Sequence, residues 1–78
     1  MKLSKLIKEQ REKHNLTQNE LGIKLGYMNG QYISNVEREL CMFSLKKTKR
    51  LATLFNLNPL ELREMWIQDF LHRIRGNK

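Results

Sequence analysis

Gln31, Asn35 and Arg38 recur at spacings of four and three residues, which on a helix of about 3.6 residues per turn sets two amides and a guanidinium along one side. Each group carries N–H donors, and the amides carry a carbonyl acceptor as well. A primary amide can pair with adenine through both of its atoms, and a guanidinium with guanine or a phosphate. The row therefore has the chemistry of a surface that reads base edges. Asn29, Ser34 and Tyr32 lie close by and add an amide, a hydroxyl and a ring able to touch a thymine methyl. Taken alone, such a row is also what a solvated helix face looks like, so its meaning depends on the elements that hold it.

Ile33, Val36, Glu37 and Leu40 repeat at three and four residues and form the opposite side of the same predicted helix. Upstream, Thr17 with Glu20 is a capping box, in which the hydroxyl accepts from the Glu20 amide while the carboxylate accepts from the Thr17 amide. A helix therefore starts at Gln18. Leu21 and Leu25 share one face of it, and Gly22 between them, lacking a side chain, would let another helix cross closely. Gly26 ends it by taking a left-handed backbone. Two short helices joined by a tight turn are the result. A first helix on Leu3, Leu6 and Ile7 ends near His14 and Asn15, with Leu16 packing inward. Ser44 caps a fourth helix, whose apolar positions are Leu45, Leu51, Ala52, Leu54 and Phe55. Asn58, Pro59 and Glu61 start a fifth, which runs to about Ile74 with Gly76 as its stop.

The segment from about Leu3 to Leu57 resembles the phage-repressor and Cro-like helix-turn-helix family. The family pattern of Gln, a small residue four later and Gly four after that is met by Gln18, Gly22 and Gly26, and its Ile-Ser-x-x-Glu-Arg segment by Ile33, Ser34, Glu37 and Arg38. The resemblance implies an all-α, five-helix, lambda-repressor-like DNA-binding domain. It also implies a pair between Arg11 of the first helix and Glu37 at the end of the recognition helix. Three departures stand out. The turn from Gly26 to Ile33 is one residue longer than the commonest form, which leaves the register of base contacts open. Glu39 stands where a Gly commonly ends the recognition helix, and Phe43 stands near the usual Pro, so the loop from Glu39 to Phe43 is atypical.

Composition narrows the partner. Residues 1–78 make one domain, with no room for a separate effector-sensing unit, and a core small enough that oligomerisation would help stabilise it. Lys and Arg number 15 against 8 Asp and Glu, a formal charge of +7 that attracts polyanions, with double-stranded DNA the first candidate. No apolar run approaches the roughly 20 residues of a spanning helix, and Met1 to Lys8 lacks the apolar stretch of a signal peptide. A cytoplasmic, non-membrane protein is expected. Cys41 is alone, His14 and His72 are far apart, and no nucleophile stands with a base. Neither metal, cofactor nor catalysis is expected. Cys41 reads as a small apolar filler, and Asp69 with His72 as an exposed ion pair.

Lys46, Lys47, Lys49 and Arg50 crowd the start of the fourth helix, where the helix dipole disfavours cations, so phosphate contact is the readiest explanation. Arg38 and Gln18 are expected to join Lys46 and Lys47 on phosphates, with helix-terminal amides adding to them. The fifth helix carries two apolar stripes, Leu62, Met65, Trp66 and Phe70 on one side and Leu60, Ile67, Leu71 and Ile74 on the other. A domain of this size can hardly bury both. Trp66 is expected to face the core, and Ile67, Leu71 and Ile74 a homodimer contact. The expectation is a dimeric regulator that represses by occupying a palindromic operator. Three alternatives remain open: an activator, an antitoxin whose fifth helix binds a protein toxin, and a protein-interaction module without a DNA target.

Overall fold

In a computed structural model that describes residues 2–76, the chain forms α1 (Lys2–Lys13), α2 (Gln18–Lys24), α3 (Gln31–Glu37), α4 (Leu45–Phe55) and α5 (Pro59–Gly76), with no strand among the described residues. The fold is all-α. Local capping chemistry sets most helix starts. Thr17 Oγ1 accepts from the Glu20 amide at 3.0 Å, and Glu20 Oε1 accepts from the Thr17 amide at 2.8 Å. The Thr17 amide thereby holds the Glu20 carboxyl below the usual carboxylate range. The Lys47 amide donates to Ser44 Oγ at 3.1 Å, and the Leu60 amide to Asn58 Oδ1 at 2.9 Å, so α4 and α5 also start on their own caps.

α3 starts at Gly30 without a side-chain cap, and α1 takes its cap from across the fold. The carboxylate of Asp69 in α5 accepts from the Leu3 amide at 2.8 Å and the Lys2 amide at 3.2 Å. Asp69 is only 5% exposed, whereas His72 is exposed, which corrects the surface ion pair expected from the sequence. A carboxylate at the positive end of a helix satisfies two of its orphan donors and opposes its dipole.

Gly22 has a different neighbour from the one expected. A Cβ there would stand 2.1 Å from the Asn29 carbonyl oxygen, so what crosses α2 is the turn itself and not another helix. Gly30 returns the contact, since its Cβ would stand 2.6 Å from the Asn19 amide nitrogen. Gly26 takes φ +92° just after α2, as its position predicts. Glu39 turns the chain after α3 with φ 63°, doing without glycine what glycine commonly does there.

Leu3, Ile7, Leu21, Leu25, Ile33, Val36, Phe43, Leu51, Ala52, Phe55 and Leu62 form the core, so every helix and the α3–α4 loop contribute. Phe43 is the loop's anchor. Consecutive loop carbonyls are held by aromatic donors, Met42 by the Tyr32 hydroxyl and Phe43 by the Trp66 indole N–H, each at 2.6 Å. Trp66 therefore faces inward as expected, stacked at 5.1 Å on Phe70. Leu40 does not continue the inner side of α3. The helix ends at Glu37, and Leu40 lies outside it and is exposed, its carbonyl accepting from Arg73 Nη2 at 2.9 Å. Cys41 is half-buried against the core, in keeping with a filler.

Candidate nucleic-acid interface

α3 is fixed from beneath by a charged pair. Arg11 Nε donates to Glu37 Oε2 at 2.7 Å and Arg11 Nη2 to Glu37 Oε1 at 3.2 Å, the two-pronged geometry that suits guanidinium and carboxylate. Their side chains are only 12% and 5% exposed. Arg11 Nη1 donates to the Leu16 carbonyl at 2.8 Å, and Gln18 Nε2 to Glu37 Oε1 at 3.0 Å. One network thus ties α1, the turn after it, the first residue of α2 and the last of α3. The hydrogen bond to Glu37 raises the Arg11 pKa above its ordinary value, so the guanidinium stays charged.

Above this network, Thr17, Gln18, Asn19, Asn29, Gly30, Gln31 and Ser34 line an open groove of about 530 Å³ between the start of α2 and the start of α3. Its wall is braced by amides. Asn19 Oδ1 accepts from the Gly30 amide at 2.8 Å, and Asn29 Oδ1 from the Gln31 amide at 2.9 Å. Beside the groove Gln31, Asn35 and Arg38 lie in the single row that their spacing predicts. Asn35 Oδ1 accepts from Gln31 Nε2 at 3.1 Å and from Arg38 Nη2 at 2.9 Å. A short buttressed helix presenting amides and a guanidinium beside a polar groove is suited to the donor and acceptor edges of a duplex groove.

A family model described as helix-turn-helix matches residues 7–62, most of the chain. The chain belongs to the helix-turn-helix family of the phage-repressor and Cro type. That family binds DNA and regulates transcription, and it is typically not enzymatic. No curated protein and no solved structure matched significantly. Among the described residues, no helix is long and apolar enough to cross a membrane, and no group of three or more His, Cys, Asp or Glu could hold a metal ion.

Within this helix-turn-helix the expected contact residues do not all stand at the surface. Gln31, Asn29 and Arg38 are exposed, while Ser34 and Asn35 are half-buried on the same side. Tyr32 is a correction: its half-buried ring stacks on Tyr27 at 4.8 Å and lies 5.6 Å from Phe43, with the hydroxyl bound to the loop, so it is packed against the fold and not presented with the row. Burial pushes both phenols above their ordinary pKa, Tyr32 with help from Cys41. Lys47 is a second correction. Its ammonium donates to the Leu25 carbonyl at the end of α2 and lies 4.9 Å from the centre of the Tyr27 ring, which commits it to the fold. Gln18 is drawn into the Glu37 network, and one amide hydrogen is left for other use. Lys46, Lys49 and Arg50 are exposed. Asn19 was not anticipated as a brace. Its signal was present in the sequence, an amide in the first turn of α2, but the Gly30 amide it holds is distant along the chain.

Proposed function

We propose that the protein is a sequence-specific DNA-binding repressor that acts as a homodimer on a palindromic operator, in the cytoplasm with its DNA. The observation that carries this reading is the row Gln31, Asn35 and Arg38, exposed at both ends and half-buried at Asn35, beside the buried Arg11–Glu37 pair that ties down the end of α3. Gln31 and Asn35 would read base edges, with Asn29 and Ser34 at the groove wall. Arg38, Lys46 and the remaining hydrogen of Gln18 would hold phosphates.

Dimerisation rests on α5. Leu60, Leu71 and Ile74 are 69%, 45% and 55% exposed, and Ile67 lies between them half-buried, an apolar stripe unusual for a free surface. A twofold axis through this stripe would set two recognition helices on half-sites about 34 Å apart. A protein partner, such as a toxin, would use the same stripe, and co-purification of one small protein in place of a second copy would favour that reading.

Selection of bound DNA from a random pool tests the function directly. The expected result is a palindrome with half-sites one helical turn apart. Lys46→Ala should then weaken binding to all sequences alike and lower the salt slope by about one unit, since about one condensed counterion is released per phosphate contact. A pool that yields no enriched sequence would leave a protein-interaction module as the better reading.

A further inference from the structure

We infer that Asn35 reads guanine and not adenine, because Gln31 and Arg38, at the two ends of its row, occupy its carbonyl oxygen; the inference rests on the DNA-reading function proposed above. Asn35 Oδ1 accepts from Gln31 Nε2 at 3.1 Å and from Arg38 Nη2 at 2.9 Å. A carbonyl oxygen has two lone pairs, and both are used. Pairing an amide with adenine requires that oxygen to accept from N6 while the amide nitrogen donates to N7. Asn35 retains only the nitrogen, with two N–H groups, so it faces the duplex as a donor alone.

Among base edges in the major groove, guanine presents two acceptors, N7 and O6, without a donor between them. Thymine presents one acceptor beside a methyl group, and adenine sets a donor next to its acceptor. A donor with two hydrogens therefore matches guanine. Arg38 strengthens the match. One hydrogen of its Nη2 is given to Asn35 and its Nε to the Ser34 carbonyl at 3.4 Å, which leaves both hydrogens of Nη1, the second of Nη2 and the positive charge for an acceptor.

Gln31 stands at the other end of the relay and keeps its own carbonyl free with one N–H to spare. Within the row of Gln31, Asn35 and Arg38, it alone retains the acceptor-and-donor pattern that suits adenine. The row thus has two reading chemistries, and Arg38 is a positioning residue that acts on base identity through Asn35.

The test is selection from a random DNA pool with the full chain and with Asn35→Ala and Arg38→Ala, each variant checked for a wild-type melting curve. The position that loses its preference in Asn35→Ala should hold guanine in the wild-type selection. Replacing N7 of that guanine by C–H should weaken wild-type binding by about tenfold, the size of one lost base contact. Arg38→Ala should move the preference at that position toward adenine, because it returns a lone pair to Asn35. A residue that merely held a phosphate would lower affinity for every sequence and leave the preference in place. Adenine at that position in the wild-type selection, or guanine retained in Arg38→Ala, overturns the inference while leaving the DNA-reading function intact. A pool without any enriched sequence overturns both.

Discussion

α2 and α3 have seven residues each, whereas α5 has 18. Isolated helices shorter than about 12 residues are marginal in water, so the two short ones depend on what surrounds them. They are held by close backbone approach at Gly22 and Gly30, by Asn19 on the turn, and by the Arg11–Glu37–Gln18 network. α5 extends for about 27 Å at 1.5 Å per residue and needs one face only for attachment. That face is Leu62, Trp66 and Asp69, and the other carries exposed leucine and isoleucine. Polar ties give the reading helix a defined position, which contact with base edges demands. Apolar area left over on a long helix gives a surface for association, where small displacements matter less.

The comparison predicts that the short pair breaks more readily than the long helix. Glu37→Ala should have the largest effect, a destabilisation on the order of 3 kcal/mol, because it strands the buried Arg11 guanidinium. A variant melting like wild type in a denaturant titration would show that the network does not hold α3. Gly22→Ala comes next at about 2 kcal/mol, since the added carbon meets backbone at Asn29, which cannot swing aside as a side chain would.

On the long helix, Asp69→Ala should lose about 1.5 kcal/mol by leaving the Lys2 and Leu3 amides without their acceptor. Amide hydrogen exchange should quicken at the start of α1 and remain slow in α3, a contrast that sharpens the comparison. Leu71→Lys should change the stability of the fold least, by no more than about 0.5 kcal/mol, because the side chain is exposed. Sedimentation should find this variant monomeric, with weak DNA binding and no preference for a palindrome. Wild type that is already monomeric at tens of micromolar, roughly, far above typical operator affinities, would remove the dimer. Unfolding of Leu71→Lys would instead assign the stripe to the core.

Features that depend on near neighbours were legible in the chain. Thr17 with Glu20, Ser44 and Asn58 marked three helix starts, and Gly26 a helix end, because a cap joins residues two or three apart whatever the rest of the fold does. The same locality put Gln31, Asn35 and Arg38 in one row. The Arg11–Glu37 pair came from family resemblance, since nothing in the spacing of residues so distant requires contact. Tertiary structure alone decided the rest. It turned Tyr32 inward to the Met42 carbonyl, bound Lys47 to the end of α2, brought Gln18 to Glu37 and set Asp69 over the start of α1. In each case a polar side chain that looked free for a partner met a backbone or charged group from a distant segment. Such a group must be satisfied once the fold excludes water from it, and a linear pattern carries no record of which segment will arrive.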